Sequence, residues 1–255
     1  MSSYNVFITG GASGIGFGIA EFLAAKGHTI LVADINLEAA TDACKTLTDK
    51  GFKAKPVEVD VTNAAQVAAL PEQLKETPVD ILVNNAGIQH VSKIEDFPPE
   101  KWQMLINIML VGPALLTQAF LPGMRANNFG RIINIGSIHS VVASPFKSAY
   151  VAAKHGLLGF AKTIALETGD TNVTINTVCP AYVKTPLVEK QIAAQAKENG
   201  ITEEEVINKI MLEPMPKKSF ISLEELGETT AFLISNGARN ITGQTMILDG
   251  GWTAR

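Results

Sequence analysis

Short runs of β-branched and other apolar residues alternate along the chain with longer stretches whose apolar positions recur every three to four residues, and turn-forming residues separate the two. The short runs predict strands and the long ones helices. Strands are expected at Tyr4–Thr9, His28–Ala33, Lys55–Val59, Asp80–Val83, Arg131–Gly136, Val173–Val178 and Gln244–Leu248. A helix should run from the first glycine-rich turn to about Lys26, where Gly27 stops it. Further helices are expected over about Leu37–Lys50, Ala64–Glu76, a stretch beginning at Pro98-Pro99, Ser148–Leu166 and Leu223–Ser235. Between Leu187 and Phe220 the chain is charged and only partly amphipathic, which suits a small helical lid over a ligand. No repeat, linker or low-complexity run breaks the alternation. It predicts one α/β domain over residues 1–255: a doubly wound parallel sheet of about seven strands with helices on both faces.

A chain of 255 residues, 46% hydrophobic and 18% charged, can bury a large core and is not a disordered protein. Its net charge of -4 offers nothing to nucleic acid or to an anionic membrane. Four His and no clustered Cys leave no expected metal site, and Cys44 and Cys179, one in a predicted helix and one at a strand end, read as free thiols. No positively flanked apolar leader precedes Tyr4, and no run reaches about 18 uninterrupted apolar residues. A cytoplasmic protein without a membrane span is therefore expected.

The candidate chemistry begins where the strand Arg131–Gly136 ends, at Ser137. In the following helix Tyr150 and Lys154 lie four apart and share a face. A tyrosine ionises near pH ~10, so using it as a base near neutrality means lowering its pKa by about three units, roughly 4 kcal/mol. One ammonium about 4 Å away at an effective dielectric of about 20 supplies that amount, and Lys154 is such an ammonium. Tyr-x-x-x-Lys by itself is equally an ordinary amphipathic pair. At the other end of the chain, Gly10-Gly11-Ala12-Ser13-Gly14-Ile15-Gly16 directly follows the first strand and opens a helix. Gly10 permits the tight turn, Gly14 lets the backbone approach a phosphate, and Gly16 lets helix pack on strand. The second strand ends at Asp34, whose carboxylate can accept both ribose hydroxyls and would repel a 2′-phosphate, selecting NAD over NADP. The alternative is a solvated loop residue or an N-cap for the next helix.

Taken in order, the spacing Gly10-x-x-x-Gly14-x-Gly16, the run Asn84-Asn85-Ala86-Gly87 after the fourth strand, and Ser137, Tyr150 and Lys154 resemble the short-chain dehydrogenase/reductase family over nearly the whole chain. The resemblance implies a Rossmann-type fold and an oxidoreductase with Ser137, Tyr150 and Lys154 catalytic. It also implies that Gly10, Ser13, Gly14, Ile15, Gly16 and Asp34 hold NAD, with Asp60 and Val61 at the adenine and Asn85, Ala86 and Gly87 close to the cofactor. Pro180 and Val183 would meet the nicotinamide amide, Thr185 the pyrophosphate, and Tyr150 and Lys154 the nicotinamide ribose. Asn84 is expected to steady the central sheet. Two positions depart from the pattern: Ala181 stands where a glycine is usual, and Met109 where the family has an asparagine whose carbonyl holds a water linking the lysine to solvent. Asn107 is two residues away, about 200° around a regular helix, so only a locally irregular helix would bring it round.

Four polar side chains surround the expected reacting position: Gln89, His139, Lys147 and Gln191. One cation with several neutral donors suits a small carboxylate, although singly each reads as a surface or loop residue. With Gly87-Ile88-Gln89-His90, Pro186 to Gln191 and Gly251 to Arg255, this set resembles the bacterial D-3-hydroxybutyrate dehydrogenases within the family. That resemblance implies that the four hold a small hydroxy-acid substrate together with Ser137 and Tyr150. It further implies that Trp252 closes the pocket of its own or a neighbouring subunit, and that the enzyme is a homotetramer. A reductase of 3-oxoacyl thioesters, a sugar alcohol dehydrogenase and a non-catalytic NAD-binding sensor are the alternatives.

Overall fold

The computed structural model describes residues 3–254. Seven strands form one sheet in the order β3-β2-β1-β4-β5-β6-β7, every neighbouring pair parallel. They are β1 Asn5–Thr9, β2 Thr29–Asp34, β3 Ala54–Glu58, β4 Ile81–Asn84, β5 Gly130–Ile135, β6 Val173–Pro180 and β7 Thr245–Leu248. The helices are α1 Gly14–Ala25, α2 Leu37–Asp49, α3 Ala64–Gln73, α4 Pro99–Ile106, α5 Gly112–Ala126, α6 Ser148–Glu167, α7 Pro186–Asn199, α8 Glu203–Val206 and α9 Leu223–Ile234. The seven predicted strands and the single doubly wound α/β architecture are thus present.

Alternate residues of each strand feed opposite layers, as the two-residue period of a strand requires. Val6, Ile8, Ile30, Val32, Ile133 and Val178 face a layer with Leu23 of α1, Leu47 of α2 and Leu226 of α9. Phe7, Leu31, Leu82, Ile132 and Ile175 face the other, with Leu70 of α3, Leu116 and Phe120 of α5 and Ala161 of α6. Strands covered on both faces read as continuous apolar runs, which is why their sequences show little alternation. The chain leaves the sheet edge at β3 and re-enters on the far side of β1 as β4, so a crevice opens at the carboxyl ends of β1 and β4.

The helix expected after Pro98-Pro99 is broken. A π turn over Asn107–Val111 joins α4 to α5, and Gly112 N donates to Asn107 O, five residues back. Pro113 has no N–H for the carbonyl four residues back, that of Met109, and its ring crowds that carbonyl, so a regular ladder cannot continue there. By length and composition the whole segment Pro99–Ala126 is apolar enough to cross a membrane, which the reading of the sequence had not anticipated. Leu105, Leu116, Phe120 and Met124 of this segment are buried in the cores.

The expected lid is a helical pair, α7 and α8, followed by a π turn over Ile207–Met211. Ile192, Val206 and Met211 form its own small core, against which Tyr182 and Phe220 pack. Leu187, the expected first lid residue, has its side chain outside the described residues, as does the whole of Arg255. Cys44 and Cys179 are buried and unpaired, and no metal-binding cluster occurs among the described residues.

Candidate active site

At the carboxyl ends of the strands lies a cleft of about 490 Å³. The glycine-rich turn forms its floor. Gly10 and Gly14 have φ of 58° and 56°, conformations that a side chain resists. Ser13 occupies the N-cap of α1 without a side-chain bond to it, and the first turn holds no acidic residue, so its N–H groups and the helix dipole favour an anion. Space exists for one: a Cβ added at Gly14 would meet nothing closer than Thr185 at 3.9 Å. A Cβ at Gly16 would instead fall 2.3 Å from Gly10 O and 2.5 Å from Asn85 Nδ2. Gly16 therefore packs behind the turn and does not line the cleft, while Gly10, Ser13, Gly14 and Ile15 do.

The turn is pinned from β4. Asn85 Nδ2 donates to Thr9 O and Gly10 O at 2.9 and 3.1 Å, and Thr9 Oγ1 accepts from the N–H groups of Asn85 and Ala86. Asn85 thus reaches the cleft with its amide committed to the turn. Asn84 Nδ2 donates to Asn134 Oδ1 at 2.9 Å across β4 and β5, the sheet-steadying contact expected of it. Asp34 lines the far end of the cleft and accepts from Asn36 N; the N-cap of α2 is Asn36, not Asp34. Asp60 and Val61 line the same end, and the turn after β3 is held by Asp60 Oδ1, which accepts from Thr62 N and Thr62 Oγ1. An anion-binding turn beside a carboxylate at the end of the second strand fits a dinucleotide, phosphates at α1 and ribose at Asp34.

The catalytic candidates meet near the middle of the cleft. Gly136 keeps the exit of β5 close to β6, since a Cβ there would lie 2.7 Å from Cys179 Sγ. Ser137 Oγ accepts from His139 N at 3.1 Å. Lys154, buried on α6, donates from Nζ to Ile135 O at 2.7 Å and sits 5.7 Å from the centre of the Tyr150 ring. Burial pushes the Tyr150 phenol above its ordinary value, with the hydrogen bond from Ser137 pulling the other way. Burial also brings the Lys154 ammonium down to about 8. The expectation of a phenol acidified by Lys154 is therefore corrected for the chain on its own: desolvation dominates both groups, and the ammonium gives its short bond to a carbonyl.

Met109, 1% exposed, lines the cleft wall against Gly87, where an added Cβ would lie 3.4 Å from Met109 Sδ. The irregular helix does not bring Asn107 round, because Asn107 Oδ1 accepts from Gln103 Nε2 at 2.8 Å on the exposed side.

At the other end Gln89, His139, Lys147 and Gln191 line the cleft together with Tyr182 and Val188. Burial lowers the Lys147 ammonium, and among the described residues it has neither a carboxylate nor a hydrogen-bond partner. His139 is buried, with Nε2 2.7 Å from Ser144 Oγ and Nδ1 3.4 Å from Ser137 Oγ. Burial first, then the charges of Lys147 and His155, bring it to about 4, so the imidazole is neutral at pH 7 and offers a single N–H. Trp252 does not line the cleft. It stacks behind Tyr182 at 6.1 Å and stands edge-on to His139 at 6.3 Å, within its own chain. Pro180, Val183 and Thr185 line the cleft, and Thr185 also caps α7. The sequence reading missed Tyr182, whose signal was its place in the turn after β6 that already held Pro180 and Val183.

A sequence model of the short chain dehydrogenase family matches residues 4–196. The chain belongs to that family. It is thus an oxidoreductase with a nicotinamide cofactor site. Two family members named D-beta-hydroxybutyrate dehydrogenase align over almost their full lengths. That of Rhizobium meliloti is 46% identical, covering 97% of this chain and 98% of its own. That of Cupriavidus necator is 44% identical, covering 100% of both. Among solved structures, the L-sorbose reductase of Gluconobacter frateurii, complexed with NADPH and L-sorbose, superposes with a TM-score of 0.94 at 32% identity over 100% of this chain and 98% of that one.

Proposed function

We propose that this short-chain dehydrogenase oxidises D-3-hydroxybutyrate to acetoacetate with NAD, reversibly. The observation that carries the reading is Lys147: an ammonium held in a largely desolvated position, with no partner among the described residues, is costly, and a substrate carboxylate relieves that cost. An uncharged sugar would leave Lys147 unpaired, which weighs against the activity in the name of the sorbose reductase. The two relatives named for D-beta-hydroxybutyrate support the same substrate. Asp34 supports NAD where the sorbose reductase structure holds NADPH.

Lys147 provides the charge for the carboxylate, with neutral hydrogen bonds from Gln89, Gln191 and one His139 nitrogen. The Gln89 carbonyl is taken by His90 N, which leaves its amide N–H groups to donate. This places C3 and its hydroxyl at Ser137 and Tyr150. NAD, when bound, supplies the acceptor for the C3 hydride. Tyr150 takes the hydroxyl proton, and Ser137 hydrogen-bonds the reacting oxygen as its bond order rises. Burial holds the phenol above its ordinary value in the free chain, and the hydrogen bond from Ser137 opposes it; the phenolate would be favoured by the positive charge that the nicotinamide of a bound NAD adds. Lys154 would hold the nicotinamide ribose, and its ammonium, 5.7 Å from the centre of the Tyr150 ring, favours the phenolate through space once proton transfer begins.

Initial rates on a panel of hydroxy acids, alcohols and sugar alcohols with NAD and NADP test the assignment. D-3-hydroxybutyrate with NAD should be preferred, and Tyr150→Phe should abolish turnover while leaving NAD binding intact. Faster turnover of an uncharged alcohol would overturn it.

A further inference from the structure

We propose that Asp249 is a positioning residue for the substrate pocket, its carboxylate folding the C-terminal turn that holds Trp252 against Tyr182 and His139. The proposal rests on the reading of Tyr182 and His139 as the substrate end of the cleft.

Asp249 follows β7 and is buried. Its Oδ1 accepts from Gly251 N at 2.8 Å, and its Oδ2 from Thr253 N and Thr253 Oγ1, both at 2.7 Å. Among the described residues no cation pairs with it. Burial pushes this carboxyl up, but the bonds from Thr253, Gly251 and Trp252 outweigh burial and hold it below its ordinary value. A buried carboxylate satisfied only by local donors organises backbone, and this backbone needs organising. Gly250 and Gly251 have φ of 58° and 92°, a tight left-handed course that is entropically unfavourable when free.

The turn is seated on the last part of the lid segment. Lys217 N donates to Gly250 O at 3.1 Å, and a Cβ at Gly251 would lie 3.3 Å from Pro216 Cγ. Beyond the turn, the Trp252 indole makes no side-chain hydrogen bond among the described residues, so its place is set by the turn and by stacking. Tyr182 is held in turn by Ile221 N, which donates to Tyr182 O at 2.9 Å, and packs on the lid core. One carboxylate thus joins the C-terminal turn, the end of the lid and the aromatic wall of the pocket.

Asp249→Asn keeps the shape but sets an NH2 against donors that need an acceptor. Thr253→Val removes only the hydroxyl bond. KM for D-3-hydroxybutyrate should rise about tenfold in Asp249→Asn and about threefold in Thr253→Val, with kcat within about twofold. The dissociation constant for NADH should be unchanged. The protein has two tryptophans, so in a Trp102→Phe background the emission reports Trp252 and should shift to the red in Asp249→Asn without any substrate. Unchanged emission and KM would overturn the proposal, and so would a parallel loss of NADH affinity, which would mark a fold-wide effect. If the unmodified enzyme does not turn over D-3-hydroxybutyrate, the substrate reading fails, and the emission still decides the role of Asp249.

Discussion

Replacing Lys147 with alanine should raise KM for D-3-hydroxybutyrate far more than it lowers kcat. The ammonium is largely desolvated, and no carboxylate or hydrogen-bond acceptor meets it among the described residues. A carboxylate about 4 Å away at an effective dielectric of about 20 gains roughly 4 kcal/mol from the pair. Desolvating the carboxylate offsets part of this, leaving the ~1.5–3 kcal/mol typical of a hydrogen bond to a charged group. That corresponds to a loss of roughly 10- to 150-fold in kcat/KM. Initial rates followed by NADH absorbance, with D-3-hydroxybutyrate and the uncharged 2-butanol side by side, give the measurement. Only the acid should lose rate. In the absence of ligand the variant should melt no lower than the unmodified protein, because removing an unpaired desolvated charge costs the fold nothing electrostatically. Equal losses for both substrates would show that Lys147 does not face the carboxylate.

Further outcomes follow from the same geometry. Asp34→Ser combined with Ile35→Arg should shift preference from NAD toward NADP, and equal turnover of both cofactors by the unmodified enzyme would remove the basis for the argument. Lys154 falls from an ordinary 10.5 to about 8 on folding, so the unfolded chain binds the extra proton between those values. Its penalty of roughly 3 kcal/mol is fully present below pH ~8 and relieved as pH rises toward ~10.5. Ligand-free Lys154→Met should therefore flatten the rise in stability across that window in urea unfolding at several pH values, and an unchanged slope would contradict the burial argument. The single chain leaves Leu166 85% exposed, with Val111 in the π turn between α4 and α5 and Ile247 on β7 also exposed. Light scattering at assay concentration should give the mass of a homotetramer that covers them, and a monomer would refute the expectation.

Much of this protein is written in local pattern. Alternating apolar runs and amphipathic stretches determine a parallel doubly wound sheet, because each strand must be covered on both faces and each connection must cross over a face. Gly10 and Gly14 announce the cofactor turn through conformations that side chains resist, and Tyr150 and Lys154 share a helical face by spacing alone. What those groups do there depends on neighbours distant in sequence. The register of α6 against β5 gave Lys154 the Ile135 carbonyl, and burial, a property of the packed layers, moved the phenol up and the ammonium down. Pro113 marked the site of the π turn, yet only packing decided that Met109 faces Gly87 and Asn107 faces Gln103. Trp252 could not be placed behind Tyr182 from sequence, since seventy residues separate the two stacked rings. Backbone preferences are set within a few residues, whereas desolvation and the presence or absence of a partner are sums over the whole fold, so the sequence offered Lys147 as a candidate cation and the packing showed it desolvated.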